Sequence, residues 1–132
     1  MDKEFYNKEG YADPTPYHAI YKGTGHSFRP VVCTINYSVG DEYKDEMALD
    51  AFCRMAIDRG CIPFSPKYCF YYMNQPGAMY EYFSLIMLTK CRELWVLGKG
   101  TDSDVRSLIK AARNRGIEVR FYREEDIEDY RE

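Results

Sequence analysis

The sequence predicts a three-layer α/β fold on a parallel sheet of about four strands, in the spatial order 2-1-3-4. Three observations lead there. Residues 91–122 read as a strand, a glycine-containing loop, a helix and a second strand. Two further strand-loop-helix units precede them, over residues 31–59 and 61–89. Gly60 and Gly116 each stop a helical run just before a new apolar segment. A strand-helix-strand crossover of this length implies parallel pairing and a right-handed connection.

Residues 1–29 are polar and tyrosine-rich and carry Pro14, Pro16, Gly23 and Gly25. They read as an extension packed on the domain, with one helical turn around Tyr17 to Tyr21 begun after Asp13-Pro14. The domain itself is expected over residues 30–132. Pro30 precedes the first strand, Val31 to Ile35. A polar loop over residues 36–41 leads into a helix from Glu42 to Arg59, whose apolar face is Met47, Ala48, Ala51, Phe52, Met55 and Ala56. Cys61 to Phe64 is a second short strand, and Pro63 places it at a sheet edge because its missing N–H cannot serve a neighbour there.

Residues 65–67 form the next loop, and Tyr68 to Met73 is strongly aromatic. A helix from Ala78 to Thr89 is apolar nearly all round, with Met79, Tyr82, Phe83, Ile86 and Met87 on one broad face. Such a helix belongs in a core or a subunit contact. Leu94 to Leu97 reads as a strand buried on both faces. Thr101, Asp102 or Ser103 can cap the following helix, whose buried stripe is Val105, Leu108, Ile109 and Ala112, with Ala111 beside it. Ile117, Val119 and Phe121 alternate as the last strand. Residues 123–132 are acidic and read as a short helix or tail on the surface.

Composition excludes several classes. The 132 residues make one domain with room for a core. A net charge of -3 gives no broad basic field, so no nucleic-acid partner is expected. No apolar stretch is long enough for a membrane span, and the N-terminus has no signal-peptide core, so a cytoplasmic protein is expected. The five cysteines contain no Cys-x-x-Cys pair, so neither a zinc site nor a disulfide framework is expected. Cys33, Cys61 and Cys91 read as small core residues. The chain carries neither a Walker-type loop nor a dinucleotide fingerprint, and no cofactor is expected. His18 and His26 both lie in the extension, and His26 reads as a loop residue.

In an order of 2-1-3-4 the loops after the first and third strands face each other across one crevice. The expected ligand-binding residues are Asn36, Tyr37, Ser38, Gly40 and Asp41 from the first loop and Gly98, Thr101, Asp102 and Ser103 from the second. Ser65, Lys67 and Tyr68, in the segment up to Tyr72, are expected as a third wall. Asp41, Asp102 and Asp104 are the candidate catalytic carboxylates should the protein be an enzyme. Paired carboxylates suit attack at an anomeric carbon, and can also hold a divalent cation. For Asp41, helix capping is the competing role.

Blocks spread over most of the chain carry a resemblance. They are Asp13-Pro14-Thr15-Pro16-Tyr17, Arg29-Pro30-Val31-Val32, Tyr37-Ser38 with Gly40-Asp41, Arg59 to Pro63 with Ser65-Pro66, Lys90 to Gly98, and Gly116 to Arg120. The chain resembles the small bacterial and phage proteins related to nucleoside 2-deoxyribosyltransferases. That resemblance implies a Rossmann-like fold with a nucleoside or nucleotide crevice. It also implies a glutamate nucleophile, within a Ser-x-Gly-x-x-x-Glu pattern, on the helix after the Gly98 loop. Here the corresponding positions hold Asp102, Asp104 and Leu108, and Lys67 stands where many relatives have a histidine.

A leucine cannot act as a nucleophile. The expectation is therefore a degenerate, non-catalytic member that holds a nucleoside- or nucleotide-derived molecule, as a phage-type sequestering or inhibitor protein would. The alternatives are an N-glycosidic bond hydrolase or transferase and a protein-interaction module using the tyrosine-rich segments. The apolar helix at residues 78–89 leads us to expect a homo-oligomer, and a protein partner remains an alternative occupant of the aromatic surface.

Overall fold

The computed structural model describes residues 29–70 and 78–131. The helical turn expected near Tyr17, both histidines and the aromatic residues Tyr71 to Met73 lie outside the described residues. The element order is β1 (Val31–Asn36), α1 (Glu42–Asp58), β2 (Ile62–Phe64), α2 (Pro66–Cys69), α3 (Ala78–Leu88), β3 (Glu93–Leu97), α4 (Ser103–Asn114), β4 (Glu118–Tyr122), α5 (Glu124–Ile127) and a 3-10 turn (Glu128–Tyr130). Among the described residues all three strand pairings are parallel and the order is β2-β1-β3-β4. The fold is the expected Rossmann-like three-layer α/β fold. The topology reverses between β1 and β3, where Val32 pairs with Glu93 and Asn36 with Leu97.

Each glycine stop has a visible cause. Gly60 and Gly116 adopt φ of 82° and 74°. At the first, Gly60 N–H donates to Ile57 O and Cys61 N–H to Ala56 O; at the second, Gly116 N–H donates to Arg113 O and Ile117 N–H to Ala112 O. Both are paired closures that satisfy the last carbonyls of a helix and turn the chain toward the sheet.

Alternation along the strands divides the core in two. Val32, Trp95 and Leu97 face α1, packing with Leu49, Phe52 and Met55. Phe52 lies 6.3 Å from the Trp95 ring and 5.5 Å from Tyr122, centroid to centroid. Cys33, Ile35, Leu94 and Val96 face the other way, against Leu88 of α3 and Val105, Leu108 and Ile109 of α4. Pro63 sits in β2, which is an edge strand. Thr34, Ser65 and Cys53 form a small polar cluster beneath β2, with Thr34 Oγ1 and Ser65 Oγ at 2.5 Å and Cys53 Sγ 3.2 Å from Ser65 Oγ.

Three expectations need correction. Residues 123–131 hold the expected short helix, α5, but the segment is not merely on the surface. Ile127 is fully buried against the α1 core, Arg54 donates to Tyr130 O at 2.8 Å, and the Tyr130 hydroxyl donates to Asp58 Oδ2 at 2.5 Å. Two side chains among the carboxylates are enough to dock the segment.

The broad apolar face of α3, expected in a core or a subunit contact, points partly outward and so is not a core face throughout. Among its described side chains Ser84 and Leu88 are buried, whereas Met79, Tyr82, Ile86 and Met87 are exposed. One flank of the helix meets the sheet layer, and Ser84 is accommodated there by donating its hydroxyl to Tyr80 O at 2.7 Å. Finally, Cys61 is half-buried just before β2, while Cys33 and Cys91 are core residues as expected.

Candidate functional site at the strand switch

The loops after β1 and β3 meet at the carboxyl end of the sheet. Tyr37 N–H continues the ladder by donating to Leu97 O at 3.0 Å. Ser38 N–H then donates to Asp102 Oδ2 at 2.8 Å. Asp102 occupies the N-cap position of α4 but makes no capping hydrogen bond, because its carboxylate turns to the other loop.

The two loop glycines serve different purposes. Gly98 has φ of 87°, a backbone that L side chains rarely adopt. Gly100 makes room instead: a Cβ there would lie 2.8 Å from Tyr37 Cδ1.

The first loop is held from below by a residue absent from the sequence expectations. Asp45, in the first turn of α1, is only 5% exposed. Its Oδ2 accepts from Ser38 Oγ at 2.7 Å, its Oδ1 from Val39 N–H at 2.9 Å, and its backbone carbonyl from Asn36 Nδ2 at 3.1 Å. Gly40 N–H donates to Ser38 Oγ at 3.1 Å. Asp41 caps α1, accepting from Tyr43 N–H at 3.0 Å and Lys44 N–H at 3.2 Å. The signal for Asp45 was faint: a carboxylate one turn into a helix whose preceding loop carries a serine and free amides.

A cavity of about 640 Å³ opens beside this loop, within the usual size of small-molecule sites. Its apolar wall includes Met47, Ala48 and Leu97, and Tyr37, Val39 and Tyr43 also line it. Lys44, Asp45, Lys99, Glu124 and Arg131 are its charged members, and Arg131 forms ion pairs with Glu124 and Glu128. The sequence carries no sign that α5 and the 3-10 turn region reach this cavity.

Of the expected ligand-binding residues, Asn36, Tyr37 and Gly98 line the cavity. Ser38 and Asp102 join its two loops, and Gly40 and Asp41 shape the turn into α1. Thr101, Ser103 and Asp104 are exposed at the start of α4. Leu108 is 3% exposed in the opposite core layer.

Ser65 is buried in the cluster with Thr34, and the Tyr68 hydroxyl donates to Glu46 O at 3.3 Å. Burial pushes the Tyr68 phenol up to about 12. Ser65, Lys67 and Tyr68 are not among the described lining residues of the cavity. Thus the three candidate carboxylates have different partners and surroundings. Asp41 caps, Asp102 bridges loops and Asp104 faces solvent, whereas Asp45 and Glu124 are the carboxylates that line the cavity, Asp45 being oriented by a hydroxyl and an amide.

Among the described residues, no group of three or more His, Cys, Asp and Glu is arranged to hold a metal ion. No helix among them is long and apolar enough to cross a membrane. A family model, described as a domain of unknown function (DUF7768), matches residues 31–122, from the start of β1 to the end of β4. A search of curated proteins finds no match to the chain.

Proposed function

We propose, from the premise that this chain belongs to the DUF7768 family, that it binds a nucleoside- or nucleotide-derived small molecule in the crevice at the strand switch and does not turn it over. The observation that carries this reading is the cavity of about 640 Å³ at the carboxyl ends of β1 and β3, lined by Tyr37 and Tyr43 and by the cations Lys44 and Lys99. Aromatic faces suit a base, and cations near a strand-end crevice suit its phosphates.

The resemblance to nucleoside 2-deoxyribosyltransferases supports the ligand class. The absence of turnover rests on Leu108, a core residue where that resemblance calls for a glutamate. In this reading the protein is a sequestering or inhibitor protein of the phage type.

The test is a thermal-shift screen against nucleosides, nucleotides, cyclic nucleotides and ADP-ribose derivatives, with chromatography of each hit. A ligand that binds the native state alone raises the melting temperature through mass action. A shift with the ligand recovered intact is the expected result. Free base among the products would restore an N-glycosidase reading, with Asp45 as the first carboxylate to replace. No shift with any member would sink the crevice reading.

A separate observation favours self-association. Met79, Tyr82 and Ile86 lie three and four residues apart on α3 and are all exposed. Tyr82 and Ile86 also line a groove with Ala111 of α4. Two copies of such a stripe can cover each other about a twofold axis. Light scattering of the wild type should give a homo-oligomer, and Ile86→Glu should give a monomer. A wild-type monomer at tens of micromolar removes the claim.

A further inference from the structure

The outer face of α4 carries a second constellation that the crevice does not use. Arg106, Lys110 and Arg113 fall four and three residues apart, so they stack along one face of the helix. All three are exposed. They line a groove of about 490 Å³ together with Tyr37 and Phe121, and no carboxylate is among its described lining residues. None of the ion pairs among the described residues holds any of the three.

Like charges at this spacing destabilise a helix, and an anion between them removes that penalty. The groove also has a flat apolar floor. Phe121 is 53% exposed on the outermost strand, and the Arg113 guanidinium lies over its ring at 6.0 Å. The cation that would meet a phosphate is thereby held next to the ring that would meet a base.

We propose that this groove is a second ligand site, distinct from the crevice, for a phosphomonoester carried on a planar ring system, with the phosphate among Arg106, Lys110 and Arg113 and the ring against Phe121. Among the described residues, Tyr37 is the one that lines both cavities. The proposal stands on the α4 face itself and not on the crevice reading.

The experiment is an amide NMR titration of the full chain with adenosine 5′-monophosphate, with adenosine and with inorganic phosphate. Adenosine 5′-monophosphate should shift the amides of residues 106–114 and of Phe121. Adenosine and phosphate should each bind there at least about tenfold more weakly, since each keeps only half of the contacts. Lys110→Gln with Arg113→Gln should weaken the nucleotide about tenfold or more, and Arg106→Gln alone should weaken it in the same direction. These positions are exposed, so unchanged thermal melts identify folded variants.

Shifts confined to Tyr43, Met47 and Lys99, or equal affinity in the folded variants, would overturn the proposal. Phosphate binding as tightly as the nucleotide would overturn the role of Phe121. Silence at Tyr43, Met47 and Lys99 with a response on α4 would count against the crevice alone.

Discussion

The backbone amide of Ser38 donates to the carboxylate of Asp102 at 2.8 Å, across 64 positions of sequence. This contact ties the loop after β1 to the start of α4 at the point where the sheet order reverses. Asp102→Ala should remove the tie without uncapping α4, since Asp102 makes no capping bond. The expected cost is about 1 kcal/mol in urea melts. Hydrogen exchange at the Ser38 amide should accelerate while exchange in the first turn of α4 stays as it was. Faster exchange in α4 with no change at Ser38 would show that Asp102 acts as a cap.

Asp45 and Asp41 stand four residues apart and hold different things. Asp41→Ala removes an N-cap on α1, at a cost of about 1 kcal/mol. Asp45→Ala leaves the Ser38 hydroxyl and Val39 N–H without their carboxylate acceptor, at a cost of about 2–3 kcal/mol. Equilibrium denaturation of the two variants checks the order. Equal losses would mean that the 36–41 loop relaxes at no cost when Asp45 is gone.

Gly100→Ala should destabilise the protein by about 1–3 kcal/mol, because the new methyl group would sit 2.8 Å from Tyr37 Cδ1. In a Tyr37→Ala background the same change should cost much less. A double-mutant cycle reads the coupling directly. Additive effects would place the strain of the alanine elsewhere in the loop.

Alkaline stability should depend on Tyr80. Burial, with the nearby Asp104 carboxylate adding, pushes its phenol from 10.0 up to about 12. The unfolded chain therefore loses this proton first. The stabilisation is whole below about pH 10 and is lost as the pH rises toward about 12. Tyr80→Phe should show a shallower fall in denaturation midpoint over that window than the wild type. Parallel decline in both proteins would remove Tyr80 from the account.

The strand order could be read from the sequence because each cue was local: apolar runs for β1 and β3, Gly60 and Gly116 as helix stops, Pro63 as an edge marker. The site was legible in part. Asn36, Tyr37 and Gly98 follow from the rule that strand ends face the crevice. Asp45 does not, since its role exists only once residues 38 and 39 fold back over the first turn of α1. The outward face of α3 was hidden for a related reason. Apolar residues on most sides of a helix say that much is to be covered, and only the neighbouring elements decide which side is covered within one chain. Ile127 and Tyr130 were masked by the carboxylates around them.

The two margins of the sheet differ, yet both discourage another strand from adding. On one side β2 is three residues long and carries Pro63, which offers no N–H. On the other, β4 carries Glu118 and Arg120, and Arg120 forms ion pairs with Glu118 and with Glu93 of β3. Copies of this domain gain little by merging their sheets into a continuous ribbon. Backbone pairing is thereby discouraged at both margins, and any contact between copies falls to the side chains of the helical layers.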